Sequence, residues 1–364
     1  MINLIRRASS VLSVHCSGCT SFVISLEEAE LWNSYVFKAF QSDFYHTHSY
    51  HKLDAGGSAG LFVTEDKDSG SFIALPFILR NIPGSTYLDS TSVYGYPGPI
   101  SSVAMADLPD SLVCAFRHQF VDYLNEIGVV SFITRLHPII DQTRVTTGLG
   151  ETIELNSTVA MDLRKTPEMQ FRDYRDSIQA KVKQQRKKGK FLIRCAESKQ
   201  EIDEFVDIYT ETMSRVHATD YYFFTREYFH RLLNAPDIKA FLLLAFCENE
   251  IAAGVILTVS KDIMQAHLVA TSNKYYSDAP MKLLFDEARL FANSLGGVSF
   301  FHLGGGYGGK ENDSLFFFKS SFSSLTFTYR MWTLILNRER YDELVQANML
   351  NRELKENYFP LYRG

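Results

Sequence analysis

The stretch Leu303-Gly304-Gly305-Gly306-Tyr307-Gly308-Gly309-Lys310-Glu311-Asn312-Asp313-Ser314-Leu315-Phe316-Phe317-Phe318-Lys319-Ser320-Ser321-Phe322 carries the sharpest signal in the chain. The apolar run Val298–Leu303 before it reads as a strand running into glycines. Gly304-x-x-x-x-Gly309-Lys310 has the spacing of a phosphate-binding P-loop. The next residue is Glu311, where a P-loop needs Ser or Thr to hold Mg²⁺, and a carboxylate there adds negative charge beside the phosphates. No helix pattern opens at that point. The glycines fit a turn, or a backbone that approaches a ligand closely, which glycine alone permits. Lys319 stands among four phenylalanines, so its ammonium either reaches out to water or is held to meet an anion.

Upstream of this stretch, strands are predicted at Phe191–Cys195, Phe241–Cys247, Ala252–Val259 and Ile263–Thr271. Helices are predicted at Glu201–His217, Thr225–Leu233 and Pro280–Leu295, the last with proline in its first turn. A long basic helix is predicted over Thr166–Lys188, ending at Gly189. The first half reads the same way. Strands fall at Phe22–Ser25, Gly60–Glu65, Ser71–Leu79 and Val129–Leu136, and helices at Leu108–Gly128 and from Ser25, a candidate N-cap, through Phe40. The Asp89–Pro99 segment is rich in Gly and Pro and reads as a loop, on which Tyr94 and Tyr96 either line a pocket or sit on a surface turn. The expectation is a mixed α/β chain of two domains with a boundary near residue 165.

The chain has 364 residues, 46% apolar and 22% charged, which suits a globular protein with a sizeable core and excludes a disordered or collagenous one. Its longest apolar run, Ala240–Cys247, suits a buried strand and is too short to cross a membrane. Arg6 and Arg7 before a short serine-rich stretch do not make a convincing signal peptide, and a cytoplasmic protein is expected. Five scattered cysteines make no disulfide framework. Cys16-x-x-Cys19 has no second ligand pair to complete a metal site, so no metal is expected. Charge is uneven. From Lys165 to Lys199 eleven basic residues face four acidic ones, a net +7 in a chain whose total is −5. Arg186, Lys187 and Lys188 lie in the densest part. Such a cluster suits phosphate, pyrophosphate or a tRNA backbone, or is a solvated helix face.

Taken in order, these segments resemble the FemAB-like transferases of the GNAT N-acyltransferase superfamily. The glycines of Leu303–Gly306 followed by Ser314–Lys319 and Phe322 resemble that family's C-terminal signature. Tyr94-Gly95-Tyr96-Pro97-Gly98-Pro99 resembles its N-domain loop, and Arg135-Leu136-His137-Pro138 the end of a following strand. The basic helix to Gly189, Arg215, Tyr222 and Phe224 also fit, from about Asp43 to Phe322. The resemblance implies an α/β (α+β) fold of two tandem GNAT-like domains, 1–165 and 166–364, each with a mixed, mostly antiparallel sheet flanked by helices. It implies an acyl or aminoacyl group passed to an amine of a cell-envelope precursor, in peptidoglycan or a surface polysaccharide. It also implies a substrate groove mainly on the first domain and between the two.

The family's Phe-Lys pair falls on Phe318 and Lys319, the expected catalytic residues. Tyr94, Tyr96, Arg135, His137, Arg215, Tyr222, Gly304, Gly305, Gly306 and Asp313 are the expected substrate-binding residues. Arg186, Lys187 and Lys188 are expected to bind phosphate or tRNA. Asp89 and Asp313 are the candidates for a base. No bound cofactor is expected. The acyl donor is a co-substrate, either aminoacyl-tRNA or an acyl thioester. The partners expected are an anionic envelope precursor, tRNA as one of the two donors, and peripheral contact with the inner membrane. Two features depart from the family. Tyr275–Lys282 lacks the glycines that cradle the pyrophosphate of coenzyme A, and no coiled-coil arm is inserted. The alternative is a non-catalytic ligand-binding protein that retains the fold.

Overall fold

The computed structural model describes residues 18–54, 58–306, 313–349 and 358–364. Cys16, the N-terminal basic stretch and Lys310 lie outside these residues. The chain forms two compact units, one from Met1–Leu155 with Tyr329–Gly364 and one from Asn156–Thr328. These bounds differ from a division at residue 165. The last residues of the chain return to the first unit instead of closing the second.

In the first unit the elements run β1 (Cys19–Ser25), α1 (Ala29–Lys38), α2 (His48–Asp54), β2 (Ala59–Asp66), β3 (Phe72–Asn81), β4 (Leu88–Thr91), β5 (Ile100–Ser101), α3 (Asp110–Glu126), β6 (Val129–Arg135) and α4 (Thr143–Thr146). β7 (Glu151–Asp162) leads the chain into the second unit. There follow α5 (Pro167–Arg172), α6 (Asp176–Lys188), β8 (Leu192–Cys195), α7 (Lys199–Arg215), α8 (Arg226–Leu233), β9 (Lys239–Cys247), β10 (Glu250–Ser260), β11 (Ile263–Thr271), α9 (Pro280–Leu295), β12 (Phe300–Gly305) and α10 (Ser314–Lys319). β13 (Thr326–Ile335) brings the chain back, and α11 (Arg338–Met349) follows.

The two units repeat one topology. The first orders its strands β1-β2-β3-β4-β6-β13, the second β8-β9-β10-β11-β12-β7. In each, the first four strands form an antiparallel meander. A helix then crosses over (α3 or α9) to a strand parallel to the fourth, as a parallel pair requires. The sixth strand is antiparallel and comes from a distant part of the chain. The crossover helices form because apolar residues recur every three or four positions. In α3 these are Leu112, Phe116, Phe120 and Tyr123, which pack on Phe62 and Trp332. In α9 they are Leu284, Phe285, Ala288 and Ala292, which pack on Phe301, Leu303 and Phe322. Fully burying one such ring contributes roughly 1.5–3 kcal/mol.

Two local expectations change. The basic segment is two helices, α5 and α6, because Tyr174 between them turns inward. Its hydroxyl donates to Asp286 Oδ1 at 3.0 Å and accepts from Arg289 Nε at 2.9 Å. Gly189, at φ 60°, ends α6 in the left-handed conformation that glycine tolerates. At α1 the N-cap is Glu28 and not Ser25. Glu28 Oε2 instead accepts from the Ser25 amide and hydroxyl at 3.0 Å each.

Candidate active site

In both units the candidate residues gather where the strand of the parallel pair ends: β6 into Leu136-His137-Pro138, β12 into Gly304–Gly306. Ligand sites favour such ends because the neighbouring strand diverges there and leaves side chains and backbone groups facing open space.

In the second unit the parallel pairing runs Ile263↔Phe300, Met264↔Phe301, Gln265↔His302 and stops, although β11 continues to Thr271. On its other side β12 pairs with β7, with a bulge between His302 and Gly304. The bulge places Gly304 at φ +76°, a conformation that disfavours any side chain. Exposure rises from buried Gly304 to exposed Gly306. Beside these glycines α10 delivers Lys319, whose ammonium donates to the Gly305 carbonyl at 2.6 Å. Burial pushes the Lys319 ammonium down to about 8, against a smaller upward pull from the Asp313 carboxylate. Asp313 caps α10: its Oδ1 accepts from the amides of Leu315 and Phe316 at 2.9 and 3.0 Å. Its Oδ2 is buried and accepts no hydrogen bond among the described residues. Gly306 makes room for that oxygen, since a Cβ there would lie 2.0 Å from it.

The phenylalanines around Lys319 divide. Phe318 packs against Phe285 and Phe322 in the core, with ring centroids 5.7 and 5.3 Å away, so it anchors α10. Phe317 is 65% exposed and lies under the Arg175 guanidinium, 4.2 Å from its ring centroid. The lysine's direction is therefore set by the rings that hold α10 down.

In the first unit the Tyr94–Pro99 loop is locked from three sides. His46 Nε2 donates to the Gly98 carbonyl at 3.0 Å, and Gln142 Nε2 donates to the Pro99 carbonyl at 2.8 Å. Gly95, at φ +110°, lets the backbone lie against Tyr45, whose ring a Cβ would meet at 2.1 Å. Behind the loop His137 Nε2 donates to buried Asp43 Oδ2 at 3.0 Å, and His137 Nδ1 accepts from the Ile139 and Ile140 amides at 3.1 Å each. Burial lowers His46 to about 4, so it is neutral at ordinary pH. Tyr96 is half-buried, its ring 6.0 Å from His137 and 5.3 Å from Tyr329. Tyr94 donates its amide to Asp54 Oδ2 at 3.0 Å, and Arg135 is exposed at the end of β6. His137 is thus a buried fastener of the loop, while Tyr96 and Arg135 offer surface.

Other expected residues are occupied structurally. Asp89 is buried between two guanidiniums, with Arg80 Nε at 2.9 Å from Oδ1 and Arg363 Nε at 2.5 Å from Oδ2. Arg186 Nη2 lies 2.7 Å from both buried Asp286 Oδ2 and Glu287 Oε1, whereas Lys187 and Lys188 are exposed. Arg215 ties the end of α7 to the Thr271 carbonyl at 3.0 Å and to Asn273, and it lies over Tyr276. The Tyr222 carbonyl accepts from Tyr209 at 3.0 Å. At the start of α9, where a pyrophosphate nest would need glycines, Ala279 takes the left-handed conformation before Pro280. Gln185 Nε2 donates to the Asp278 and Ala279 carbonyls there, at 2.9 and 3.1 Å. Among the described residues no group of three or more His, Cys, Asp or Glu side chains could hold a metal ion, and no helix is long and apolar enough to cross a membrane.

The residues that sequence reasoning missed are Asp43, His46 and Gln142 in the first unit and Gln265 and His302 in the second. The last two had a signal, since each interrupts an apolar run: Ile263-Met264-Gln265-Ala266 and Phe300-Phe301-His302-Leu303.

The family described as acetyltransferase (GNAT) domain matches residues 172–312. Residues 172–312 are similar to a GNAT domain. That match spans α6 through the glycines of β12. No curated protein sequence matches the chain at a significant level. Similar solved structures include FemX, 10% identical with a TM-score of 0.69, covering 89% of this chain and 99% of that one. L-PGS from Bacillus licheniformis is 14% identical with a TM-score of 0.55, covering 89% and 97%. A conserved protein of unknown function from Bacteroides thetaiotaomicron is 11% identical with a TM-score of 0.56, covering 85% and 98%. The likeness is one of fold and extends over both units.

Proposed function

We propose that the protein is an N-acyltransferase that moves an aminoacyl or acyl group from an activated ester or thioester to an amine of an anionic cell-envelope precursor. One observation carries the reading: a GNAT-like domain ends its parallel strand in three glycines with a buried lysine ammonium on their backbone. Attack of a neutral amine on an activated carbonyl needs positioning, charge for the developing oxyanion and an acceptor for the amine proton. Lys319 supplies the charge. Asp313 Oδ2, buried and without a donor among the described residues, is the candidate acceptor. Phe318 fixes the helix that presents Lys319. Tyr94, Tyr96 and Arg135 serve the acceptor substrate. Lys187 and Lys188 serve its phosphates, or the backbone of a tRNA donor.

The start of α9 favours aminoacyl-tRNA over coenzyme A, because Ala279-Pro280 presents neither the glycines nor the free amide that a pyrophosphate nest uses. We place the reaction in the cytoplasm, at the membrane face where such precursors are built, and keep the division of labour between an acceptor side in the first unit and a donor side in the second. Incubation of the purified protein with charged tRNA or acetyl-CoA and a lipid-linked or nucleotide-linked amino sugar or peptide precursor, read by mass spectrometry, tests this. A new amide that depends on Lys319 supports it. Binding of the precursor without turnover of either donor would instead make the chain a binding protein that kept the fold.

A further inference from the structure

Gln265 and His302 are buried polar side chains facing one another across the last rung of the parallel pair. His302 Nδ1 makes a short hydrogen bond to Gln265 Oε1. The other end of the Gln265 amide faces the Ala266 carbonyl, which only accepts, so that end is the NH2, the end toward His302 is the oxygen, and His302 Nδ1 carries the proton. Nε2 is thereby turned away from His302 and toward Gly304. One of its two N–H groups reaches the Ala266 carbonyl at 3.2 Å. Among the described residues nothing takes the other. Lys319 likewise donates once, to the Gly305 carbonyl at 2.6 Å, and has N–H groups to spare. A Cβ on Gly304 would lie 3.3 Å from Lys319 Nζ and 3.7 Å from Gln265 Nε2. The space that this glycine leaves empty is therefore flanked by one cationic and one neutral donor. Gln265 is only 3% exposed, and a buried donor with an unused N–H calls for an acceptor.

We propose that Gln265 and Lys319 form a two-donor receptor for the carbonyl oxygen of the acyl donor over Gly304, and that His302 is the positioning residue that keeps the amide turned with Nε2 forward. This rests on the acyl-transfer reading above. The amine nitrogen bonds to the carbonyl carbon and the C=O π pair moves onto oxygen, where the two donors hold it. Collapse restores C=O and breaks the bond to the alkoxide or thiolate. The proton lost from the amine passes to Asp313 and on to that leaving group. A neutral donor beside a cation suits this cycle, because the oxygen must be released again when its charge is gone.

Two measurements test the receptor, the first without any substrate. Gln265→Glu places a carboxylate beside the ammonium. The midpoint for acetic anhydride labelling of Lys319 across pH, followed by peptide mass spectrometry, should then rise by at least one pH unit, while Gln265→Met should leave it within half a unit of the parent. An unchanged midpoint in Gln265→Glu overturns the juxtaposition. The second uses the transfer reaction with charged tRNA or acetyl-CoA. Gln265→Met should lower kcat about 10²-fold, the usual effect of losing one oxyanion donor, with the donor KM within about twofold. His302→Leu should do the same, and His302→Asn, which keeps an N–H for Gln265 Oε1, should recover most of the rate. An unchanged kcat in Gln265→Met, or a loss confined to KM, overturns the proposal. If the unmodified protein transfers from neither donor, the transferase reading fails, and the Lys319 midpoint alone decides the receptor. Variants are scored only when their melting temperature matches the parent. Should Gln265→Glu not fold, the midpoint in Gln265→Asp takes its place under the same criterion.

Discussion

Replacing Lys319 by methionine should make the protein more stable and less active at once. The ammonium end is buried although the residue is part-exposed, and burial lowers it from 10.5 to about 8. At about 1.4 kcal/mol per pH unit, holding it protonated at neutral pH costs the fold at most about 3 kcal/mol. Methionine keeps the apolar stem and removes that cost. It also removes the hydrogen bond to the Gly305 carbonyl, a loss of roughly 1–3 kcal/mol. The net expectation at pH 7 is a gain of about 0–2 kcal/mol. The sign changes with pH in a defined way. Below about 8 the lysine is protonated in both the folded and the unfolded chain and the burial cost is present in full. Between about 8 and 10.5 the unfolded chain binds the extra proton, so the parent gains stability as pH rises and the variant does not. Their difference should therefore shift in the parent's favour by about 3 kcal/mol from pH 7 to pH 10.5 in urea titrations. Transfer should meanwhile fall about 10²–10³-fold. A variant less stable at pH 7 by more than about 1 kcal/mol, or a difference that does not change with pH, would refute the buried-cation account.

Further outcomes follow from the same geometry. If the charged form of Lys319 is the working one, kcat should fall as pH rises through about 8, and a pH–rate profile flat to pH 9.5 would exclude that. Gly304→Ala should cost about 1–2 kcal/mol for a side chain at φ +76°, and should depress transfer by pushing on Lys319, as denaturation and rate measurements on one sample would reveal. Arg186→Gln should destabilise by ~1–2 kcal/mol, because Asp286 is buried and, among the described residues, keeps Arg289 and Tyr174 alone. The double change Lys187→Gln with Lys188→Gln should be silent in stability and flatten the salt dependence of tRNA or polyphosphate binding. Asp89→Ala strands Arg80 and Arg363 and should cost roughly 2–4 kcal/mol in urea unfolding without a specific effect on kcat, which would retire Asp89 as a base.

Much of this architecture is legible in the sequence because it is local. The near-continuous apolar runs of β2, β3 and β9–β11 and the helical spacing in α3 and α9 place those elements within a few residues. β7 was not legible, because its first five residues, Glu151–Leu155, are exposed and show no buried face. β13 was missed for a related reason: five of its ten residues are only half-buried and two are exposed, and its partner β6 lies some two hundred residues earlier. That long return of the chain also explains why the compact units do not divide at residue 165. The candidate site divides similarly. The glycines and Lys319 are close in sequence, and their proximity could be anticipated. Partners far apart could not: His137 meets Asp43 across 94 positions, Arg186 meets Glu287 across 101, and Asp89 meets Arg363 across 274. Charge density alone could not separate Arg186, which is spent on acidic neighbours, from Lys187 and Lys188, which are exposed.

The central claim is acyl transfer that depends on Lys319. It is tested most directly by giving the purified protein charged tRNA or acetyl-CoA together with an amine-bearing envelope precursor, and following the precursor's mass with the parent and Lys319→Met side by side. The account predicts a mass gain equal to one aminoacyl or acyl group in the parent, slowed at least 10²-fold in the folded variant. Equal rates in the two proteins, or no mass gain from either donor in the parent while the precursor binds, would contradict it.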